Sequence, residues 1–430
     1  MLSISLENAF ILLGFYAFIA SILATLKYRN VINPITSASI TQVGMYTILS
    51  GILANYILAT NAYSLIDSKQ TILFAAINFT GLLIPFLFKG SFLTIIFFKI
   101  MNFTGLNLIS SAKKYNTFKF FCFLLCIITS YCLLLKIGGG GILWITDTRR
   151  AYQNFRSGAG LFFLLSQWAI TFTFIYYLWS KHPIGIKLLI VSVFFSSLAY
   201  FTGSKNNILI ILIVALFYRH FKIKRISFYN LCAMGLFFSV LFLSLLILQG
   251  STSSLLESTF YFKDYFDTTT RFLSRFDEFE FHYGKGWLSS LWFYFPRGLF
   301  PGKPYEYGQT LIHQVLFPGK AEMGNTPGLL NWSLSYLDFG VLGVFFHGLI
   351  NGFIKRMAYE YFLKNREEFF AFILMIHFSI WPIFSFLNQI PTLIMCLFVS
   401  IFLRLVLVSR SSDKSDKTIK SHISIEEYNV

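Results

Sequence analysis

Runs of about twenty apolar residues recur along this chain, parted by short polar turns, and one polar tract at about residues 250–336 interrupts them. A helix rises about 1.5 Å per residue, so such runs match the ~30 Å of hydrocarbon in a bilayer. The spacing predicts spans near Asn8–Leu26, Ile35–Leu58, Thr71–Phe88, Phe118–Leu135, Gly160–Trp179, Gly185–Phe201, Asn207–Phe221, Tyr229–Leu248, Leu337–Ile354, Phe369–Phe386 and Pro391–Val408. Ser91–Ile100 is apolar but too short to cross, and reads as interfacial or re-entrant. Lipid leaves no water for unpaired backbone groups, so spans of this length are helices. The expected fold is an all-α polytopic membrane protein with about 11 transmembrane helices. Residues 1–249 hold helices 1–8, with a basic loop at 136–160, and residues 250–336 form a large extracytoplasmic loop containing short helices. Residues 337–408 hold helices 9–11, and 409–430 form a polar tail.

Composition agrees: 56% of the 430 residues are apolar and 13% charged, against about 25% charged in a soluble domain. The net charge of +16 would suit a nucleic-acid partner if it were gathered on one face. Instead Lys and Arg fall in alternate short loops, which orients the chain with its N-terminus outside and its C-terminus in the cytoplasm. No nucleic-acid partner is expected. Cys122, Cys126, Cys132, Cys232 and Cys396 all lie in expected spans, so no disulfide framework is read. Positive charge follows the first apolar run at Lys27 and Arg29, which makes that run a permanent span rather than a leader.

One short loop breaks the alternation. Lys136–Gly160 places Lys136, Arg149, Arg150 and Arg156 against Asp147 on the outer side, after the glycines Gly138–Gly141. Arginine offers a planar fork of donors suited to phosphate, and glycine backbone can approach an anion closely. Attraction to lipid headgroups is the plainer reading of the same charges.

Further candidates follow along the chain. Thr268–Thr270 followed by RFLSRFDEFEFHYG reads as a capped amphipathic helix, with Arg271, Arg275, Glu278 and His282 on one face and Phe272, Phe276, Phe279 and Tyr283 on another. A solvated helix laced by ordinary ion pairs would read the same way. GSKNN (Gly203–Asn207) puts Lys205 at the mouth of a span, where it either snorkels or lines an anion pocket. FPRGLFPGKPYEYG (Phe295–Gly308), with three prolines and three glycines, predicts a rigid shaped loop holding Arg297 and Lys303. Asp338 is the lone carboxylate placed within a span, and an ionisable group there is a functional candidate. No zinc spacing, Walker loop, nucleophile elbow or metal–nucleotide DxD motif is found on the outer side. Asp277–Glu280 is a weak acidic cluster, and neither metal nor cofactor is expected.

PRGLFPGKP after GKGW, the NTPG…LSYLDFGVLG lead into a late span, and GSKNN together resemble the Wzy-type polymerases of lipid-linked oligosaccharide repeat units, mainly over residues 145–350. That family pairs arginines with a glycine after ten intervening residues; Arg149–Gly160, Arg275–Gly286 and Arg297–Gly308 fit the spacing. The resemblance implies a glycosyltransferase of the bacterial inner membrane, for O-antigen, capsule or a similar polysaccharide. Its substrates would be undecaprenyl-pyrophosphate-linked oligosaccharides, and its pathway partners a flippase and a chain-length regulator. Under that reading Arg149, Arg150, Arg275 and Arg297 meet the pyrophosphate charge, with Arg156, Arg271, Lys205, Lys303 and Asp338 as further binding groups. His282 is the first choice of general base, with Glu278 and His313 behind it, and Trp287, Trp292 and Tyr305 offer faces to sugar rings. An O-antigen-ligase-type transferase would use the same donor. A transporter would need ionisable groups near the membrane midplane, which these spans nearly lack.

Overall fold

The computed structural model describes residues 4–57, 63–88, 117–227, 255–319, 327–366 and 368–380, with isolated residues between 229 and 244. Among the described residues the chain is helical, with no strand. Helix α1 (Leu6–Tyr28) is followed by α2 (Pro34–Ala38), which continues through wide π-helical turns at Ser39–Leu49 and Leu53–Ile57. Next come α3 (Leu65–Leu87), α4 (Thr117–Ile137), the short α5 (Thr148–Ala159), α6 (Leu161–Lys181), α7 (Ile186–Tyr200) and α8 (Lys205–Tyr218). Helix α9 (Leu255–Ser274), the long α10 (Ser333–Lys364) and α11 (Phe369–Leu374) follow.

Among the described residues six helices are long and apolar enough to cross a membrane: α1, α3, α4, α6, α10, and α8 with the π turn Arg219–Ile223 that extends it. Helix α7 is apolar but shorter. This is a multi-pass helical membrane protein. The expected span Pro391–Val408, the segment Ser91–Ile100, the tail 409–430, most of Tyr229–Leu248 and the end of Phe369–Phe386 lie outside the described residues.

Close packing of α3 on α10 organises one side of the bundle. A Cβ at Gly348 would run into the Asn78 carbonyl, one at Gly81 into the Phe345 carbonyl, and one at Gly352 into the Leu82 carbonyl. Small residues that admit backbone to backbone are how helices associate in lipid, where burial of apolar surface gives little drive. His347 and Asn78 hydrogen-bond at 3.0 Å across the same seam. Gly348→Leu is expected to destabilise the fold by about 1–3 kcal/mol through forced separation of the two helices. Thermal aggregation of the purified protein, read by fluorescence-detected gel filtration, checks it.

Helix α9 departs from its sequence reading. A helix beginning near Thr268 is expected, yet it already runs from Leu255 and ends at Ser274. Thr268, Thr269 and Thr270 are fully buried inside it, bonded rather than capping: Thr270 to Thr71 at 2.9 Å and Thr269 to Ser333 at 3.2 Å. Ser50 accepts from the Phe266 N–H at 2.9 Å. Helix α9 is thereby seated among α3, the Ser50 turn and the start of α10. Because it stops at Ser274, Glu278 and His282 do not share a helical face with Arg271 and Arg275. The aromatic side fares better, since Phe272 is fully buried and packs edge-on with Phe276, Phe279 and Tyr336.

Candidate functional site

Three segments far apart in sequence meet at one end of the bundle. The first is α5, whose N-terminus is capped by Asp147 accepting from the Arg150 N–H at 3.1 Å. Ala151 and Ala159 are buried on its inner side, and Arg149, Tyr152, Arg156 and Ser157 lie half-buried. The second is the turn into α8. Gly203 takes φ +68, and a Cβ there would strike the Thr148 carbonyl, so only glycine lets this turn sit on α5. It delivers Lys205, which is 6% exposed and within electrostatic reach of Arg149.

The third is the proline-rich loop after residue 294. The Arg297 N–H donates to the Gly158 carbonyl at 2.7 Å. A Cβ at Gly160, φ +56, would lie 2.6 Å from the Pro296 nitrogen. Lys303 is 2% exposed, and its ammonium donates to the Ser157 carbonyl at 2.5 Å and the Phe295 carbonyl at 2.9 Å.

Tyrosines fill the space between these cations. Arg156 donates to the Tyr152 hydroxyl at 2.6 Å, and the guanidiniums of Arg149 and Arg156 lie 5.2 and 5.0 Å from that ring. Burial alone would raise the Tyr152 phenol, but Arg156, Arg149 and Ser204 bring it below its ordinary value. Arg297 stacks 3.9 Å from the Tyr305 ring, and Lys303 lies 4.9 Å from the Tyr307 ring. Burial pushes Tyr307 up, against Ser157, Arg156 and Arg297. Burial, helped by Arg297, pushes Lys303 down to about 8. Tyr152, Ser157 and Tyr307 were not singled out in the sequence. Their position depends on contacts between segments some 150 residues apart, which no local pattern announces.

The other candidates fall into a second group. Helix α10 breaks at Phe339 and Gly340 (φ +61), just after the fully buried Asp338. The break exposes the Leu337 and Asp338 carbonyls, which accept from the His282 and Tyr283 N–H groups at 3.1 Å each. The Asp338 carboxylate accepts from the Gly286 and Trp287 N–H groups at 2.9 Å each. Asp338 thus fastens the 282–287 turn to the broken helix. That segment then reaches the first group, because the Gly308 N–H donates to Ser289 Oγ at 2.8 Å and a Cβ on Gly308 (φ +57) would lie 2.8 Å from Ser290 Oγ.

Arg275 and Glu278 form an exposed two-pronged ion pair, 2.5 Å on both prongs. Hydrogen bonding from Arg275 holds the Glu278 carboxyl below its usual range, which makes it a weaker base. Arg271 pairs with Asp267 at 3.1 Å. His313 is 2% exposed on the short helix Thr310–Leu316, and burial lowers it to about 4. Arg150 is exposed, one residue round α5 from Arg149. The glycines Gly139 and Gly140 take φ +83 and +79 and pack beneath the Phe155 ring, which accounts for them without an anion. No group of three or more His, Cys, Asp or Glu gathers among the described residues.

Of the sequence candidates, then, Arg149, Arg156, Lys205, Arg297 and Lys303 come together, while Arg271 on α9, Arg275, Glu278 and His282 after it, His313 on its short helix and Asp338 in α10 stand apart from that cluster. Arg297 and Lys303 rest on carbonyl oxygens and tyrosine rings, with no carboxylate paired to either among the described residues. Such a site can bind phosphate through preorganised charged donors.

A multi-pass helical membrane protein with a preformed cationic, tyrosine-lined site at one end of its bundle is the class defined by these features. The chain is similar to the O-antigen polymerase of Salmonella typhimurium (strain LT2), 25% identical over 252 residues, 56% of this chain and 60% of that protein. The O-antigen polymerase of Salmonella typhi matches to the same extent. The chain thus spans about three-fifths of the curated relatives it matches. No family model matches it, and no solved structure does.

Proposed function

We propose that this protein polymerises lipid-linked oligosaccharide repeat units into a surface polysaccharide, with undecaprenyl pyrophosphate as the carrier and leaving group. The observation that carries the reading is the convergence of Arg149, Arg156, Lys205, Arg297 and Lys303 on one tyrosine-lined site. The similarity to O-antigen polymerases supports it. In this proposal the chain makes about eleven crossings, N-terminus out and C-terminus in, and the cationic end faces the outside of the inner membrane.

A hydroxyl at the non-reducing end of the incoming repeat attacks the donor's anomeric carbon. The bond from that carbon to the pyrophosphate oxygen breaks, and the electron pair leaves with the lipid diphosphate. Arg149, Arg156, Arg297, Lys205 and Lys303 take up the growing charge, which electrostatic preorganisation favours over the ground state. The hydroxyl proton goes to a base. His282, half-buried on the fastened turn, remains the choice there. Tyr152 is a second candidate inside the cationic group, because its phenol is brought below its ordinary value.

Deletion of the gene, with gel analysis of surface glycan, tests the reading. Carriers bearing single repeats with the longer ladders gone are expected. Accumulated unattached polymer would indicate a ligase instead, and intermediate trapped in the cytoplasmic leaflet a transporter.

Lys303 sets a pH dependence. A lysine held near 8 keeps its charge below that pH and loses it above, so donor binding is expected to weaken as pH rises from about 7 to 9. Folding has the opposite sign: the unfolded chain keeps the proton up to the ordinary lysine value, so this group makes stability rise with pH between about 8 and 10. In Lys303→Arg the charge persists, and the binding profile should flatten over that range. An unchanged profile would remove Lys303 from the site.

A further inference from the structure

A second set of cations gathers at the other end of the same helix. From Lys205 to Ile223 is 18 steps of helix, about 27 Å at ~1.5 Å each, so α8 joins two sites roughly one hydrocarbon thickness apart. At its far end the chain makes the π turn Arg219–Ile223 and bends back. The bend is fixed by His220, which is 4% exposed. Its Nδ1 accepts from the Ile226 N–H at 3.0 Å, so Nε2 carries the proton and donates to Asn30 Oδ1 at 2.8 Å. This neutral imidazole ties the end of α8 to the end of α1.

The bend forms one wall of an open-mouthed cavity of about 150 Å³, lined by Lys222, Lys224, Arg225 and Arg366 with Asn30 and His220. That is about ten times the ~15 Å³ a single water needs. The four cations come from two separate segments, and no carboxylate is among the cavity's lining residues. Lys222 is held 4.8 Å from the Trp179 ring. Arg366 Nε is buried with no hydrogen-bond partner. Nearby Arg356 shows the contrast: it is buried too, but Glu360 answers it at 2.6 Å. A buried guanidinium nitrogen left open beside three other cations is unusual for a group without a ligand. Basic pockets between membrane helices are suited to phosphate-bearing headgroups.

We infer that the cavity bounded by Lys222, Lys224, Arg225 and Arg366 is a second anion site, which binds a phosphate group at the end of the bundle opposite the Arg297 cluster. The phosphate comes either from an anionic phospholipid of the adjoining leaflet or from a soluble phosphate. The site is separate from the proposed polymerisation and does not depend on it.

Native mass spectrometry of the full-length protein in detergent tests this, with dioleoyl phosphatidylglycerol, dioleoyl phosphatidylcholine and inorganic phosphate as probes. Phosphatidylglycerol is expected to bind and phosphatidylcholine not to, with affinity down at least ~10-fold in Arg225→Gln/Arg366→Gln, since each lost charged hydrogen bond weighs about that much. Lys224→Gln/Arg225→Gln, both on exposed residues, gives the same readout where the first variant fails to fold. Arg297→Ala should leave this binding unchanged. If inorganic phosphate raises the melting temperature of the wild type but of neither variant, and the lipid does not bind, the occupant is soluble and the site stands. Phosphatidylglycerol binding that is equal in wild type and variants, or binding of neither phosphatidylglycerol nor inorganic phosphate, overturns it.

Discussion

Arg297→Ala is expected to abolish long polymer, with the catalytic efficiency falling on the order of 10²–10³-fold while the protein still inserts and accumulates. The arginine makes no ion pair in the described structure; its guanidinium stacks on Tyr305 and donates to the Pro304 carbonyl at 3.2 Å. Its backbone N–H, not its side chain, ties the loop to α5. Truncation therefore removes charge while leaving the joint intact. Arg297→Lys restores the charge without the planar fork and should recover only part of the loss. Ladder gels and single-turnover transfer with a lipid-linked repeat read the effect. Arg275→Ala is the paired test. Because Arg275 is exposed and occupied by Glu278, its removal should lower activity far less. Equal losses in the two variants would move the pyrophosphate toward the Arg275 end and undo the assignment made here.

Asp338→Ala should have an effect of comparable size by a different route. The carboxylate is fully buried and serves two backbone donors at 2.9 Å. Removing it strands the Gly286 and Trp287 N–H groups, each worth about 1–3 kcal/mol when left without a partner. The 282–287 turn should come loose, and polymer formation should fall with it. Limited proteolysis separates this role from direct contact with substrate. New cleavage between residues 281 and 294 together with lost ladders supports a positioning role. Lost ladders with an unchanged digest would mean that Asp338 acts on the substrate itself.

Much of the fold was legible because the span signal is long and repetitive. The edges of α1, α6 and α7 fall within a few residues of the hydrophobic runs. The wide π turns after α2 left no such trace, since they change the backbone winding and not the run of apolar residues. Helix α9 was misread at both ends. Its early turns carry Glu257, Lys263 and Asp264, which look like loop, and its threonines look like a cap. In place, Thr270 bonds back to the Phe266 carbonyl at 2.8 Å and outward to Thr71, so hydroxyls that suggest a helix start sit comfortably mid-helix.

The site was legible by charge but not by arrangement. Arginines kept against the topological bias pointed to Arg149 and Arg156, and proline-rich stiffness pointed to Arg297 and Lys303. The helical spacing that grouped Arg275 with His282 failed because the helix ends first. The Arg-x10-Gly spacing has a physical counterpart, since Gly160, Gly286 and Gly308 each stand where a Cβ would come within 3 Å of another segment: the Phe295–Pro296 backbone, Leu334 and Asp338 of α10, and Ser290.

Those glycine contacts set how closely the segments at this end of the bundle approach one another. At Gly160 main chain meets the Phe295–Pro296 main chain, whereas Gly286 faces the Leu334 and Asp338 side chains and Gly308 faces Ser290 Oγ, so the seating depends on these bare positions together with the groups opposite them. Sequence change is therefore expected to gather at residues that project away from these contacts, while the glycines and the groups they face stand still.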